Sequence, residues 1–162
     1  MTPYYQDDYV TLYHGDALDV LDTLSTADAF VMDPPYASGS RTEASKSSSG
    51  AMLRGGRFAN RPIELDQMTT TGFVWLMRHV AMHARRMLPD GGSLLSFIDW
   101  RQWPNLVGAV ETCNLRVQGM VVWDKGNMGL GNGFRAQHEL VCHASKGVPT
   151  IHNKGVGNVI SH

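Results

Sequence analysis

The chain has 162 residues, of which 43% are hydrophobic and 18% are charged, and its formal net charge is −1. This length and composition indicate a single domain over residues 1–162, soluble and globular, with enough apolar side chains for a substantial core. No apolar stretch is long enough to span a membrane and the N-terminus lacks a signal pattern, so neither a membrane protein nor an exported one is predicted. The near-neutral charge does not indicate nucleic-acid binding in general, but it is compatible with a local basic patch.

Two cysteines, Cys113 and Cys142, provide neither a disulfide framework nor the spacing of a metal site. They fit the reducing environment of the cytoplasm, where we expect the protein to act. His79 and His83 have the i, i+4 spacing of metal ligands, but they lack the glutamate of a His-Glu-x-x-His motif and an obvious third ligand. No metal site is therefore predicted.

The first elements in chain order form a strand–helix–strand pattern. Residues 10–13 predict a strand that ends at Gly15-Asp16, and a helix follows whose leucines recur on one face. Asp16, at the junction, is in the position of a helix N-cap. The apolar residues 29–32 predict the second strand.

The most informative motif is Asp33-Pro34-Pro35-Tyr36, which directly follows this second strand. Proline has a fixed φ and no N–H, so two consecutive prolines cannot continue a strand ladder. The strand must end at Asp33, which leaves a carboxylate, a proline carbonyl and a tyrosine ring at its carboxyl end. In open α/β sheets, ligands bind at that end.

This arrangement suits methylation of the exocyclic amine of adenine or cytosine, whose nitrogen lone pair is delocalised into the ring. Asp33 and the Pro34 carbonyl would accept the two amine hydrogens and localise the lone pair for attack on a methyl group. Tyr36 would stack on a base that is rotated out of the duplex. The alternative is a structural Pro-Pro turn in which Asp33 is a cap and Tyr36 packs in the core.

Residues 37–62 are rich in serine and glycine and poor in apolar side chains at their start. Between positions 41 and 61 the segment carries one acidic residue, Glu43, against five basic ones, a net charge of +4. The basic residues are Arg41, Lys46, Arg54, Arg57 and Arg61. We expect a mobile loop that closes over DNA phosphates, and the alternative is a solvated linker.

The rest of the chain continues the alternation of helices and strands. A long helix begins near Thr70 or Thr71, carries a wide apolar face, and ends at Pro89-Asp90-Gly91-Gly92. The other predicted elements are strands over 93–98, 117–123 and 139–143 and a shorter helix over 104–112. This order predicts an α/β sheet that is mostly parallel and ends in an antiparallel pair.

A glycine-rich segment separates the last two strands and predicts a hairpin loop, because no helix follows it as in a dinucleotide fingerprint. Lys125 and Arg135, at its two ends, are candidates for contacts with phosphates, and Trp123 and Phe134 are candidates for stacking on bases. The alternative is a core tryptophan and a solvated loop tip. Asp99, which follows the strand over residues 93–98, is a further candidate polar group at the active edge.

Several segments, in their order along the chain, resemble the beta class of amino-group DNA methyltransferases. In the N-terminal half these are residues 12–21 and Asp33-Pro34-Pro35-Tyr36. In the C-terminal half they are residues 121–127, Phe134-Arg135, His138-Glu139 and Lys146-Gly147. The resemblance extends roughly from Tyr9 to Gly147 and implies a Rossmann-like methyltransferase sheet.

The resemblance implies methyl transfer from S-adenosylmethionine (SAM) to the exocyclic amine of adenine in double-stranded DNA, with the target base flipped out. Adenine is favoured because Asp-Pro-Pro-Tyr is the more usual adenine variant, whereas serine in place of aspartate is commoner for cytosine. The implied catalytic residues are Asp33, Pro34, Pro35 and Tyr36, and the implied SAM-binding residues are Asp16, Ala17 and Asp33. Together with the basic segment and the hairpin loop described above, the predicted DNA-binding residues are Arg41, Lys46, Arg54, Arg57, Lys125 and Arg135.

One part of the family pattern has no match in this sequence. The family carries its main SAM-binding loop, a glycine-rich turn, towards the C-terminus, and nothing in residues 1–162 resembles it. We therefore expect a sheet that is incomplete at its C-terminus and that pairs with a complementary C-terminal chain or forms a homodimer. Two alternatives remain open: a cytosine-amino methyltransferase, and a catalytically silent DNA-binding module that cannot hold SAM. A role in restriction–modification would rest on fold-level analogy only.

Overall fold

The computed structural model describes residues 1–37, 68–129 and 133–161. The N-terminal elements are strands β1 (Tyr5–Gln6) and β2 (Thr11–Leu12), helix α1 (Ala17–Thr23) and strand β3 (Ala29–Met32). The central elements are helix α2 (Thr70–Met87), strand β4 (Ser93–Ile98) and helix α3 (Trp103–Glu111). The C-terminal elements are strands β5 (Arg116–Asp124), β6 (His138–Ser145) and β7 (Val159–Ser161).

Five strands form one sheet in the order β3-β4-β6-β5-β7. β3 is parallel to β4 and β5 is parallel to β7, whereas β6 lies between β4 and β5 and is antiparallel to both. Four strands therefore point in one direction and β6 points in the other. The predicted α/β fold, mostly parallel with an antiparallel pair towards its end, is confirmed. Strand β7 was not predicted.

The strand predicted over residues 10–13 is not part of this sheet. Only two of its residues are extended, and the resulting short β2 pairs with β1 in a separate antiparallel hairpin. Asp7 fixes the turn of this hairpin, because its Oδ1 accepts hydrogen bonds from the backbone N–H groups of Tyr9 (2.8 Å) and Val10 (2.7 Å). Local turn chemistry, rather than burial in the main sheet, therefore determines the conformation of this segment.

Helix α2 supplies a large part of the core. Thr69 caps it through Oγ1, which accepts a hydrogen bond from the Gly72 N–H at 3.1 Å, one residue before the predicted start. Its buried side chains form one hydrophobic cluster with residues of β4, α3 and β6; members of this cluster include Phe73, Met77, Ala81, Ala84, Leu94, Ile98, Leu106, Val110, Leu140 and Cys142. Burial raises the pKa of the Cys142 thiol to about 11, so this cysteine is a protonated core residue at neutral pH.

Helix α1 and strand β3 are less covered than strand β4. No residue of either element is fully buried, whereas alternate residues of β4 are. Arg86 of α2 attaches α1, because its guanidinium donates to the carbonyls of Leu21 (2.9 Å) and Leu24 (3.0 Å). β3 is an edge strand of the five-stranded sheet, and β4 is its one neighbour among the described strands. Val31 of β3 is 69% exposed.

The basic loop predicted over residues 37–62 lies outside the described residues except for Ala37. The residues that the structure does not describe include Arg41, Lys46, Arg54 and Arg57. Ala37, the first residue of that range, is fully buried. None of the described helices combines the length and hydrophobicity that a membrane span requires. Over the same residues, no three histidine, cysteine, aspartate or glutamate side chains form a group able to hold a metal ion.

A pH dependence of stability is expected from His143, a partly buried residue of β6 whose Nε2 shares a hydrogen bond of 3.1 Å with Ser93 Oγ. Burial lowers the pKa of this imidazole below its ordinary value. The unfolded chain therefore binds more protons below about pH 6.5, and the free energy of unfolding should fall as the pH is lowered from 7.5 towards 5. Urea unfolding across this range measures the effect.

His143→Gln should make the free energy of unfolding less dependent on pH in that range, because the side chain no longer titrates. The matched control is His152→Gln, since His152 lies in an exposed loop. Equal pH dependence in the wild type and the His143 variant would contradict the assignment.

Candidate active site

Polar and charged side chains collect at one edge of the five-stranded sheet. Strands β3, β4 and β5 end at this edge, and β6 begins there because it runs in the opposite direction. Asp33 follows β3, Asp99 follows β4, Lys125 follows β5, and Glu139 is the second residue of β6. This is the edge at which open α/β sheets bind ligands.

Asp33 and Tyr36 are hydrogen-bonded to each other within the Asp-Pro-Pro-Tyr turn. The Tyr36 hydroxyl donates to Asp33 Oδ1 at 2.7 Å. Asp33 is exposed and Tyr36 is partly buried. The hydrogen bond engages one carboxylate oxygen and fixes the direction of the other, so Asp33 Oδ2 is the oxygen available to a ligand.

A buried side chain, Gln102, holds the C-terminal end of this turn through a hydrogen bond to Ala37. Ala37 has a φ of 51°, a left-handed conformation that is uncommon for a residue other than glycine. Its carbonyl accepts a hydrogen bond from Gln102 Nε2 at 3.3 Å, and Gln102 Oε1 accepts one from Asn105 Nδ2 at 2.8 Å. Gln102 is 5% exposed, so the beginning of α3 fixes the turn that carries Asp33 and Tyr36.

The Tyr36 hydroxyl is a hydrogen-bond donor at neutral pH. Burial is the largest cause that raises its pKa above the ordinary tyrosine value, and the hydrogen bond to Asp33 raises it further. The negative charges of Glu139, Asp33 and Asp99 act in the same direction. Because ionisation is strongly disfavoured, the hydroxyl keeps its proton and continues to orient Asp33.

A cavity of about 420 Å³, here called the Tyr36 cavity, opens at this edge of the sheet. Its size lies within the range of roughly 300–1,000 Å³ that is usual for small-molecule sites. It combines aromatic side chains with charges of both signs. Its lining residues are Tyr36, Ile98, Asp99, Trp100, Arg101, Lys125, Phe134, Arg135, Ala136, His138, Glu139 and Leu140.

A second cavity of about 470 Å³, here called the β3 groove, follows the exposed side of β3. Its lining is mainly apolar and comes from the segment before α1, from α1, β3 and α2, and from the Asp-Pro-Pro-Tyr turn. The lining residues are Tyr13, Gly15, Ala17, Val20, Leu21, Phe30, Val31, Met32, Asp33, Pro34, Pro35, Leu76, Met77 and Val80. Asp33 lines the β3 groove and Tyr36 lines the Tyr36 cavity, so the two cavities approach each other at the Asp33–Tyr36 hydrogen bond.

The predicted SAM-binding residues fall into two groups. Ala17 and Asp33 both line the β3 groove. Asp16 is the N-cap of α1, because its Oδ1 accepts a hydrogen bond from the Leu18 N–H at 2.8 Å. The capping role that the sequence also allowed for Asp16 is therefore present, and it engages one of the two carboxylate oxygens.

Both of the described residues that were predicted to bind DNA, Lys125 and Arg135, line the Tyr36 cavity. Lys125 forms an ion pair with Glu139, and Arg135 donates a hydrogen bond to Met128 Sδ at 3.4 Å. The predicted stacking residues differ in exposure. Phe134 is fully exposed, whereas Trp123 is partly buried and packs edge-on against Phe97 at 5.9 Å between ring centres.

Gln102 and Glu139 make specific contacts at the site and were not predicted as functional. Gln102 contacts a carbonyl that lies 65 positions earlier in the chain, and nothing in the local sequence marks that partner. Glu139 was quoted as part of a family-like segment, but only the pairing of β5 with β6 brings it to Lys125. The position of Glu139 at the start of a strand that leaves the active edge is the signal that could have identified it.

Comparison with known proteins identifies the family. The model for N6 and N4 methyltransferases, described as DNA methylase, matches residues 27–157. No protein of curated function matches the sequence. Among solved structures, the M1.HpyAVI–SAM complex has 15% sequence identity and a TM-score of 0.57, over 92% of this chain and 65% of that one.

Two other solved structures have the same fold. The PvuII DNA methyltransferase, which is cytosine-N4-specific, has 13% identity and a TM-score of 0.68, over 99% of this chain and 59% of that one. TTHA0409 from Thermus thermophilus, complexed with S-adenosyl-L-methionine, has 16% identity and a TM-score of 0.52, over 88% of this chain and 54% of that one. The chain thus spans 54 to 65% of these three proteins. Because the family model covers most of its length, the chain belongs to the DNA methylase family of amino-group methyltransferases.

Proposed function

We propose that this chain captures a flipped adenine in double-stranded DNA and activates its exocyclic amine for methylation by SAM. The observation that carries the proposal is the Asp33–Tyr36 hydrogen bond, which lies where the Tyr36 cavity and the β3 groove approach each other. A base in the first cavity and a methyl donor in the second would meet at the Asp33 carboxylate. Membership of the DNA methylase family supports a reaction that brings a DNA base and a methyl donor together.

Asp33 and Pro34 carry the chemistry in this proposal. Asp33 Oδ2 accepts one amine hydrogen and the Pro34 carbonyl accepts the other, which localises the nitrogen lone pair for attack. The Tyr36 hydroxyl holds Asp33 Oδ1, and the Tyr36 ring stacks on the base. Asp33 then takes the proton that the amine loses when its new N–C bond forms.

SAM supplies a methyl group that a positively charged sulfur makes electrophilic. The β3 groove is large enough for the cofactor, its mainly apolar lining would suit the adenine ring, and Ala17 and Asp33 are the predicted contacts that line it. Asp16 lies at the start of α1 next to Ala17 and retains one carboxylate oxygen beyond its capping hydrogen bond. We propose that these three residues hold the part of SAM nearest to the Asp-Pro-Pro-Tyr turn.

DNA contacts are proposed for the basic segment that follows the Asp-Pro-Pro-Tyr turn and for Arg135. Arg41, Lys46, Arg54 and Arg57 belong to a segment whose sequence carries a net charge of +4 between residues 41 and 61. Phosphate contacts from such a segment would give most of the sequence-independent affinity and a strong dependence on salt. Arg135 is exposed at the mouth of the Tyr36 cavity and is proposed to contact the backbone beside the flipped base.

A cytosine-N4 activity is the second candidate. The PvuII enzyme, which is cytosine-N4-specific, aligns with 99% of this chain. The two products separate the candidates directly, because DNA methylated in the presence of the chain and SAM contains either N6-methyladenine or N4-methylcytosine. Digestion to nucleosides and mass spectrometry identify which one forms.

Calorimetric titration of the chain with SAM, followed by titration with duplex DNA, tests the cofactor assignment. SAM binding by the chain alone would mean that residues 1–162 hold the cofactor without further polypeptide. DNA binding without SAM binding would mean that the cofactor site needs a complementary chain. DNA binding with no SAM binding, even after a complementary chain is added, would favour a catalytically silent DNA-binding module.

We propose that this complementary chain binds along the side of β3 that faces away from β4, here called the β3 edge. β3 has one neighbour among the described strands, Val31 is 69% exposed, and the mainly apolar β3 groove runs beside it. The proposed occupant is a polypeptide equivalent to the third of M1.HpyAVI that this chain does not cover, which would add a strand to β3. A homodimer through the same edge is the other outcome that the experiment below can give.

Val31→Lys should reduce self-association of the isolated chain. An unpaired strand edge beside an apolar groove promotes pairing between copies, and a lysine there opposes it. Because Val31 is exposed, the free energy of unfolding should change by about 0.5 kcal/mol or less. Sedimentation equilibrium over a range of concentrations measures the effect. Val148→Lys, at a loop position that is 78% exposed, is the control. Equal association of the two variants would show that the β3 edge is not the contact surface.

A further inference from the structure

We propose that the ion pair between Lys125 and Glu139 determines base specificity in the Tyr36 cavity. In this inference Lys125 donates a hydrogen bond to the ring nitrogen beside the amine of the flipped base, and Glu139 positions Lys125. The inference rests on the proposed function and concerns the same site. It moves Lys125 from a phosphate contact to a base contact, and it gives Glu139 a role that was not predicted from the sequence.

The geometry holds both side chains in the cavity. Lys125 Nζ donates to Glu139 Oε1 at 2.5 Å, and both residues line the Tyr36 cavity. The backbone N–H of Lys125 donates to the Gln137 carbonyl at 2.8 Å, which extends the pairing of β5 with β6 to the start of the hairpin loop. The ammonium lies 6.0 Å from the centre of the Trp123 ring. Lys125 is therefore anchored to the strand ends and is not a freely mobile side chain at the loop tip.

The pair also faces the surface on which a base would stack. Glu139 and Tyr36 line the same cavity, and the Glu139 charge is one of those that raise the pKa of the Tyr36 hydroxyl. A base stacked on Tyr36, with its amine at Asp33, would therefore have its Watson–Crick edge within the region that Lys125 and Glu139 border. Enzymes that flip bases read them by hydrogen bonds to this edge.

The hydrogen-bonding pattern of the bases explains how a lysine at this place would discriminate. Adenine has its N1 acceptor beside the amine, and cytosine has its N3 acceptor there. Guanine and thymine carry an N–H donor at the equivalent position, which an ammonium cannot accept. After it donates to Glu139, Lys125 keeps two further N–H donors for such a ring nitrogen. A polar site of this kind strongly disfavours a base that leaves its donor unpaired.

Glu139 makes an ammonium compatible with the reaction. The amine nitrogen gains positive charge as it attacks the methyl group, and an unpaired lysine nearby would oppose that change. The carboxylate of Glu139 cancels the lysine charge while leaving its donors in place. The same cancellation weakens the attraction of Lys125 to DNA phosphates, which is the observation against the phosphate role.

The test measures DNA affinity of the chain without SAM, so it does not depend on turnover. The probes are two duplexes, each with one base opposite an abasic site: adenine in the first, and 1-deazaadenine, which lacks the N1 acceptor, in the second. The wild type should bind the adenine duplex about tenfold or more tightly than the 1-deazaadenine duplex, as expected for a hydrogen bond from a charged donor. Lys125→Met should abolish this ratio and leave the dependence of affinity on salt unchanged.

Two further variants separate the roles of charge and position. Glu139→Gln keeps an oxygen that can accept from Lys125 but removes the compensating charge, so it should lower the adenine preference while tightening binding to both duplexes. Lys154→Met removes one positive charge in an exposed loop away from the cavity and is the control for charge alone. It should leave the adenine preference unchanged.

The outcomes distinguish the inference from the proposed function. If Lys125→Met weakens binding to both duplexes equally and reduces the slope of log affinity against log salt by about 0.9, Lys125 contacts a phosphate and the inference is wrong. If the wild type binds both duplexes equally well, no ring-nitrogen contact exists and the inference is also wrong, while the proposed function stands. If the wild type binds no duplex, the proposed function itself fails and the inference fails with it.

Discussion

Asp33→Ala is expected to lower the rate of methyl transfer by roughly 10²–10⁴-fold, the usual contribution of a positioned proton acceptor. Asp33 lies at the end of β3, where its Oδ2 can accept an amine hydrogen while Oδ1 is held by Tyr36. Alanine removes that acceptor and leaves the amine lone pair delocalised into the base. DNA affinity should change little, because phosphate contacts supply most of it and Asp33 makes none.

Transfer of a radiolabelled methyl group from SAM to duplex DNA, in the assembly that holds both ligands, measures this effect. Fluorescence anisotropy with the same duplex measures DNA affinity. Asp90→Ala is the matched control, since the Asp90 side chain is 94% exposed and lies in the turn after α2, away from both cavities. Near-normal turnover in the Asp33 variant would mean that the proton-acceptor geometry is wrong.

The sequence predicted where β3 ends because proline restricts the backbone so strongly. Asp33-Pro34-Pro35-Tyr36 had to end a strand whatever the surrounding structure, and β3 does end at Met32. The long helix was predicted for a related reason: its apolar spacing and its cap are local, and α2 begins within one residue of the expected position. Features set by nearby residues could therefore be read without a structure.

The parts that were missed depend on contacts between distant residues. Gln102 reaches the carbonyl of Ala37 only because α3 packs beside the turn, and Glu139 reaches Lys125 only because β6 pairs with β5. The prediction of a strand over residues 10–13 in the main sheet was wrong for the opposite reason. There a local contact decides, because the hydrogen bonds that Asp7 accepts stabilise a separate hairpin. Periodicity alone does not distinguish a short exposed strand from a strand of the main sheet.

The arrangement of charge links these distant contacts to the chemistry. Asp33, Asp99 and Glu139 place three carboxylates around the Tyr36 hydroxyl, and all three raise its pKa. Two of them are paired with cations, Asp99 with Arg101 at 3.0 Å and Glu139 with Lys125. Among these three, Asp33 has no cation within ion-pair distance among the described residues. Within the described part of the chain, Asp33 is therefore the carboxylate best placed to stabilise a positive charge on an amine in the proposed reaction.

Two substitutions at Tyr36 should separate the role of its ring from the role of its hydroxyl. Tyr36→Ala removes the stacking surface and should weaken capture of a flipped base by about 1–3 kcal/mol, the usual loss for one base–aromatic stack. Tyr36→Phe keeps the ring but releases Asp33 Oδ1, so it should lower kcat and leave KM for DNA nearly unchanged. Steady-state kinetics of both variants give the two parameters.

The control for both variants is Tyr9→Ala, at a position that is 95% exposed in the turn between β1 and β2. A fall in kcat for Tyr36→Phe without a change in KM would assign the hydroxyl to the positioning of Asp33. An equal rise of KM in the phenylalanine and alanine variants would instead mean that the hydroxyl contacts DNA. In that case the hydrogen bond to Asp33 would not be retained when the base is bound, and Asp33 would need another partner to orient it.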